Sequence, residues 1–122
     1  TPLHTVMKHR RGVCQDFAHL AIACIRATGL AAGYVSGYLE TLPPPGQEKL
    51  EGADASHAWF AVYMLDYGWM HFDPTNNMLA SDQHITLAFG RDFADVTPLK
   101  GVIYGGDDHE LKVSVDVRRI EE

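Results

Sequence analysis

Gly12-Val13-Cys14-Gln15-Asp16-Phe17-Ala18-His19 sets a cysteine at the point where a helix begins. From Cys14 onward small and apolar residues recur at helical spacing: Cys14, Phe17, Ala18, Ala21, Ile25 and Thr28, with Leu20 and Cys24 on the flank. No proline or glycine interrupts before Gly29, so the spacing predicts one helix that closes there. A thiol in a first helical turn meets unpaired backbone N–H groups and the positive end of the helix dipole. Both favour the thiolate, which is the reactive form. Cys14 is therefore a candidate nucleophile, provided a base reaches it from downstream. The plainer alternative is a buried cysteine acting as a small hydrophobe. Cys24, about 15 Å further along at ~1.5 Å per residue, is expected to pack in the core. No Cys-x-x-Cys pair exists, which leaves a thioredoxin-like motif and a thiolate zinc site without support.

Working outward, the 122 residues suffice for one domain with a real core. A hydrophobic content of 46% with 21% charged residues is that of a soluble globular chain. The net charge of −6 is spread without a basic stripe, which argues against a nucleic-acid partner. No apolar run approaches the ~20 residues needed to cross a bilayer, so no membrane partner is expected. The chain opens at Thr1 with Cys14 close behind, and the expectation is a fragment of a longer protein. Two cysteines form no disulfide framework, and a reducing compartment, cytoplasmic by default, follows.

Thr1-Pro2 predicts a short helix from Pro2 to about His9, broken by Arg10-Arg11-Gly12. Ala31 to Leu39 reads as a strand, and the three prolines between Thr41 and Gly52 as an exposed loop. Ala55 to Leu65 is apolar on both alternating faces, as a covered central strand would be. Trp69 to Asp73 follows as its hairpin partner and ends at Pro74. Asn76 to His84 reads as a loop, Ile85 to Phe89 as a strand and Arg91 to Lys100 as a connection. Val102–Tyr104 and Leu111–Val117 are expected to pair as a final hairpin across Gly105-Gly106-Asp107-Asp108. Helix first, then hairpin-connected strands: the order predicts an α+β fold with the helix packed on an antiparallel sheet.

A cysteine nucleophile needs an imidazole, and the imidazole needs a third group to fix its tautomer. His57 lies near the start of the central strand and Asp73 ends the next. A tight turn at Tyr67-Gly68 would pair Val62 with Asp73 and leave Asp73 about 16 Å short of His57. Closing that gap takes a bulge, a wider turn or a neighbouring strand. His19 points away from the thiol. His71 shares a strand face with Asp73 and is a candidate polar partner or metal ligand. Cys14, His57, His71 and Asp73 can be written as a zinc set, but His71-x-Asp73 is a weak ligand spacing, and neither metal nor cofactor is expected. His4, His9, His84 and His109 are read as surface or hydrogen-bonding residues. Asp16 is expected to cap backbone N–H groups, Trp59 and Trp69 to pack in the core, and Arg91, Asp92 and Asp95 to form a loop ion-pair network.

Three ordered blocks carry a resemblance. Arg11 to Leu20 with Arg26 to Leu30 and Gly33 to Tyr38 forms the first; His57-Ala58-Trp59, Gly68-Trp69 and Phe72-Asp73-Pro74-Thr75-Asn76 the second; His84-Ile85 through Gly90-Arg91-Asp92-Phe93-Ala94-Asp95-Val96, Pro98 and Gly101 the third. Together, from about residue 9 to residue 117, the chain resembles the core of the transglutaminase-like superfamily, in particular its bacterial and archaeal branch, described as cysteine proteases. The resemblance implies a papain-like fold, with Cys14 as nucleophile, His57 as general base and acid, and Asp73 orienting His57. It implies acyl transfer through a thioester, acting on a peptide or protein substrate or a small amide, with hydrolysis favoured over transamidation. The Cys14 backbone N–H would hold part of the oxyanion. Family members draw a second donor from upstream of the cysteine, and Thr1–Val13 offers no tryptophan for it. No acidic loop resembles a calcium site. The competing expectation is a binding module that keeps the fold without catalysis.

Overall fold

The structure, a computed structural model, describes residues 1–121. Helix α1 (Leu3–His9) leads into α2 (Cys14–Ala27), and strands β1 (Ala32–Leu39), β2 (Ala55–Met64), β3 (Gly68–Asp73), β4 (Met78–Leu79) and β5 (His84–Gly90) follow, with a 3₁₀ turn at Phe93–Asp95. The strands form one antiparallel sheet in the order β4-β3-β2-β1-β5. The expected α+β architecture is present, with α2 lying on β1 and β2. No helix among the described residues is long and apolar enough to cross a membrane.

Helix α2 starts where a carboxylate is placed to receive its first N–H groups: Asp16 Oδ2 accepts from the Val13 N–H at 2.9 Å. Its buried side, Ala18 and Ile22, meets Ala32, Tyr34 and Ala58 on one face of the sheet. Two residues beyond Ile22, about 200° around the helix, Cys24 faces solvent, so its expected core role is corrected by the helical phase. The other face of the sheet buries Val35, Trp59 and Ala61. Strand β2 is thus covered on both sides, as its unbroken apolar run requires.

The β2–β3 turn departs from the tight hairpin. Leu65-Asp66-Tyr67 make a three-residue loop, Tyr67 N–H donates to Met64 O, and Gly68 takes a φ of 75°. A left-handed glycine closes this loop, and glycine is the residue that adopts that φ without steric cost. The register becomes Met64↔Gly68, Val62↔Met70 and Phe60↔Phe72, three residues from the tight-turn pairing. Asp73 therefore arrives beside Trp59, two residues from His57, and the 16 Å gap closes. On the other side Gly37 is the β1 partner of His57, at a bulge against β5. A Cβ on Gly37 would land on the Ile85 carbonyl oxygen and 2.8 Å from the Trp59 ring.

The expected final hairpin is absent: among the described residues Val102–Tyr104 and Leu111–Val117 form no strand, and Val115 makes one isolated bridge to Asp54. Alternating valines permit a strand, but a ladder needs a free edge in register. The tail instead crosses the start of β2, where Asp54 accepts the Val117 N–H at 2.6 Å and pairs with Lys49. Short β4, in the segment read as a loop, adds the sheet's outermost strand.

Candidate active site

Cys14 is the first residue of α2 and half-buried. Along β2 the odd residues turn their N–H groups toward β1, as Tyr63 does toward Ala31 O at 3.0 Å. The even ones face β3, and β3 has already ended where Ala58 lies. The Ala58 N–H is left off the ladder and reaches the Cys14 sulfur. The Cys14 thiol is held below its ordinary pKa chiefly by a hydrogen bond with His57; burial opposes this, and the charge of His57 and the Ala58 and Gln15 N–H groups add to it.

The His57 ring touches both neighbours. Its Nε2 lies 2.8 Å from Asp73 Oδ2, which leaves Nδ1 for the sulfur. Burial pulls its pKa down, but hydrogen bonds with Cys14 and Asp73 and their charges win, and the net shift is upward. A lowered thiol beside a raised imidazole is the signature of a thiolate–imidazolium pair.

Asp73 is wholly buried, and five donors surround its carboxylate. Oδ1 accepts the Thr75 and Asn76 N–H groups at 3.1 and 3.2 Å, the local turn that Pro74 starts. Oδ2 accepts from His57 Nε2, His84 Nε2 and Asn76 Nδ2, each at 2.8 Å. Burial alone would raise its pKa; the bonds from His84, Asn76 and His57 and the charge of His57 hold it at about 2. Cys14, His57 and Asp73 are thereby brought together, with His57 bonded to Asp73 and acting on the Cys14 thiol.

His84, expected to be a surface or hydrogen-bonding histidine, is a buried hydrogen-bonding one, its side chain 1% exposed. His71, by contrast, is turned out of the cluster. Its Nδ1 accepts the Trp59 indole N–H at 3.0 Å, and burial lowers its pKa. Trp59 is core as expected, packing edge-on to His84, whereas Trp69 is 53% exposed. His19 accepts the Phe93 N–H and stacks near Tyr34, away from the thiol. Arg91 pairs with Asp95, while Asp92 caps Ala94. His57, Asp73 and His84 offer three ligating atoms within 4.8 Å of one another. Bonds of ~2.1 Å to a tetrahedral zinc would spread such atoms to about 3.4 Å, so the 2.8 Å spacings suit shared protons better than an ion.

The transglutaminase-like superfamily core matches residues 1–74. The chain belongs to that superfamily. A solved structure called "a Putative Cysteine Protease from Cytophaga hutchinsonii" superimposes with a TM-score of 0.62 at 36% identity, over 80% of this chain and 30% of that one. An uncharacterized protein of Mycobacterium tuberculosis is 51% identical over 96% of this chain, and one of Mycobacterium leprae 41% over 90%. The chain spans about two fifths of the length of these curated relatives. A protein-glutamine gamma-glutamyltransferase of Pseudomonas aeruginosa is 34% identical over 54% of this chain and 10% of its own length.

Proposed function

We propose that this transglutaminase-like chain is the core of a cysteine-dependent acyl-transfer enzyme that cleaves amide bonds, with water as the usual acceptor. One observation carries the reading: His57, held by Asp73 at 2.8 Å, is the neighbour that does most to lower the Cys14 thiol pKa. In this mechanism the Cys14 proton passes to His57 Nδ1 and the sulfur attacks the amide carbonyl. The Cys14 backbone N–H, at the helix start, supports the oxyanion. His57 then protonates the departing amine and a thioester remains. Water gives its proton to His57, attacks the thioester and releases the acid and the free thiol. Asp73 keeps its charge throughout and fixes the His57 tautomer. A groove running from Ser56 and Gly37 past Phe93, Val96 and Leu111, about 620 Å³ in volume, offers apolar room for the acyl side.

Thiol reactivity tests this reading. Cys14 should be alkylated by iodoacetamide well below an ordinary thiol pKa of ~8.5, and His57→Ala should slow it about a hundredfold near pH 6. Site-resolved peptide mapping is required because exposed Cys24 reacts too. A Cys14 profile that follows an ordinary thiol and ignores His57 would favour the binding module.

A further inference from the structure

We propose that His84 is a positioning residue that aims Asp73 at His57, an inference that rests on the acyl-transfer reading of the site. Two imidazoles meet one oxygen: His57 Nε2 and His84 Nε2 each lie 2.8 Å from Asp73 Oδ2. The direction of the His84 bond is set by its other nitrogen. The Ser81 backbone N–H, which can only donate, points at His84 Nδ1 at 3.0 Å. Nδ1 must therefore accept, the neutral ring carries its proton on Nε2, and that proton goes to Asp73. Ser81 in turn is held by a turn in which the His84 N–H donates to Ser81 O.

His84 is fixed in two further ways. Trp59 stands edge-on at a centroid distance of 5.0 Å, with its own N–H tied to His71. His84 opens β5 opposite Leu39 of β1, so its backbone belongs to the sheet. Asp73, by contrast, is the last residue of β3, followed by an irregular turn. A carboxylate at a strand end can rotate about its last torsion, which is broad. His84 and Asn76 remove that freedom at Oδ2, as Thr75 and Asn76 do at Oδ1. The acceptor is thus presented to the His57 ring in one orientation.

The test uses the full chain in a Cys24→Ser background and follows Cys14 alkylation between about pH 5 and pH 9. His84→Leu, which removes the donor, should move the reactive limb upward and slow alkylation near pH 6 about tenfold. His84→Gln, whose amide N–H reaches Oδ2, should recover most of that rate. A residue that only fills space would give the opposite pattern: folded His84→Leu with the wild-type limb, or Gln no better than Leu at equal folded fraction, and either result overturns the proposal. If His84→Leu fails to fold, ¹⁵N shifts of the wild-type imidazoles decide: His84 carrying its proton on Nε2 supports the assignment, and on Nδ1 overturns it. A wild-type limb that ignores His57→Ala would sink the enzyme reading itself. A His57-dependent limb that is blind to His84 sinks only this one.

Discussion

Asp73 and Asp54 are both carboxylates with wholly buried side chains, yet their partners differ in kind. Asp54 is neutralised by a permanent cation, Lys49 at 2.6 Å, and its remaining bonds come from the Thr41 N–H and hydroxyl and the Val117 N–H. Lys49 also donates to Val117 O, and the Gly52 N–H to Asp116, so the cluster straps the tail to the β1–β2 loop. Among the described residues no lysine or arginine pairs with Asp73; its donors are two imidazoles, an amide and two backbone N–H groups. Its charge finds a full counter-charge only when His57 takes up a proton. A carboxylate cancelled once and for all serves as a strut, whereas one awaiting its cation can follow a proton through a reaction cycle. The two lie on neighbouring strands: Asp54 immediately precedes β2, three residues ahead of His57, and Asp73 ends β3.

The largest effect that would break this contrast is at Asp73. In Asp73→Asn the Thr75 and Asn76 backbone N–H groups, which can only donate, keep the amide oxygen at the Oδ1 position, so the NH₂ faces His57 and His84 and can accept from neither. His57 is pushed into the wrong tautomer, and acylation of Cys14 by an activated ester should fall by about 10³ to 10⁴-fold with the fold retained. An intact acylation rate in folded Asp73→Asn would place Asp73 with Asp54 as a mere strut. The mirror experiment is Lys49→Met. It leaves Asp54 buried without its cation, so the melting temperature should drop by several degrees while Cys14 alkylation stays within about twofold of wild type.

The pH dependence of stability separates the pair next. The Asp73 pKa is depressed to about 2, so its contribution is present above the ordinary carboxylate value and lost as pH falls toward 2. Asp54, held down first by Lys49, adds an acid arm of the same sign. The His57 pKa is raised, so its contribution is complete below the ordinary histidine value and lost as pH rises through the folded one. Only the Asp73 cluster thus has an alkaline arm. Urea unfolding across pH should show Asp73→Asn flattening both arms and Asp54→Asn flattening the acid arm alone.

The sequence made much of this fold legible because period and punctuation agree in α2, β1 and β2. Cys14, Gly29 and the two-faced apolar run from Ala55 carry that information locally. What was not legible depends on contacts that periodicity does not encode. Assuming a two-residue turn misplaced Asp73 by three positions; the signal against it was Gly68 itself, whose left-handed backbone extends the loop to Leu65-Asp66-Tyr67. His84 lay inside the third block of the resemblance, but nothing in Ser81-Asp82-Gln83-His84 tells which ring nitrogen meets which partner. The alternating valines of the tail mimic a strand, because alternation says which face is apolar and not whether an edge awaits it. Leu111 and Val113 are instead 74% and 70% exposed.

The smallest expected effect lies at Asn76, whose amide gives Asp73 Oδ2 one of its three bonds there. The same side-chain nitrogen stands 3.5 Å from His57 Nε2, too far for a second strong bond. Asn76→Ala keeps the backbone N–H bond to Oδ1 and both imidazole bonds, so the carboxylate stays aimed and ionised. Alkylation of Cys14 should slow only about two- to threefold, and stability should change by about 1 kcal/mol, the worth of one hydrogen bond. The same loss at Asp54, made by Thr41→Val, should lower stability by a similar step and leave Cys14 untouched, since Lys49 still neutralises the charge. If Asn76→Ala instead proved as damaging as Asp73→Asn, the aim of Asp73 would depend on its turn rather than on the two imidazoles.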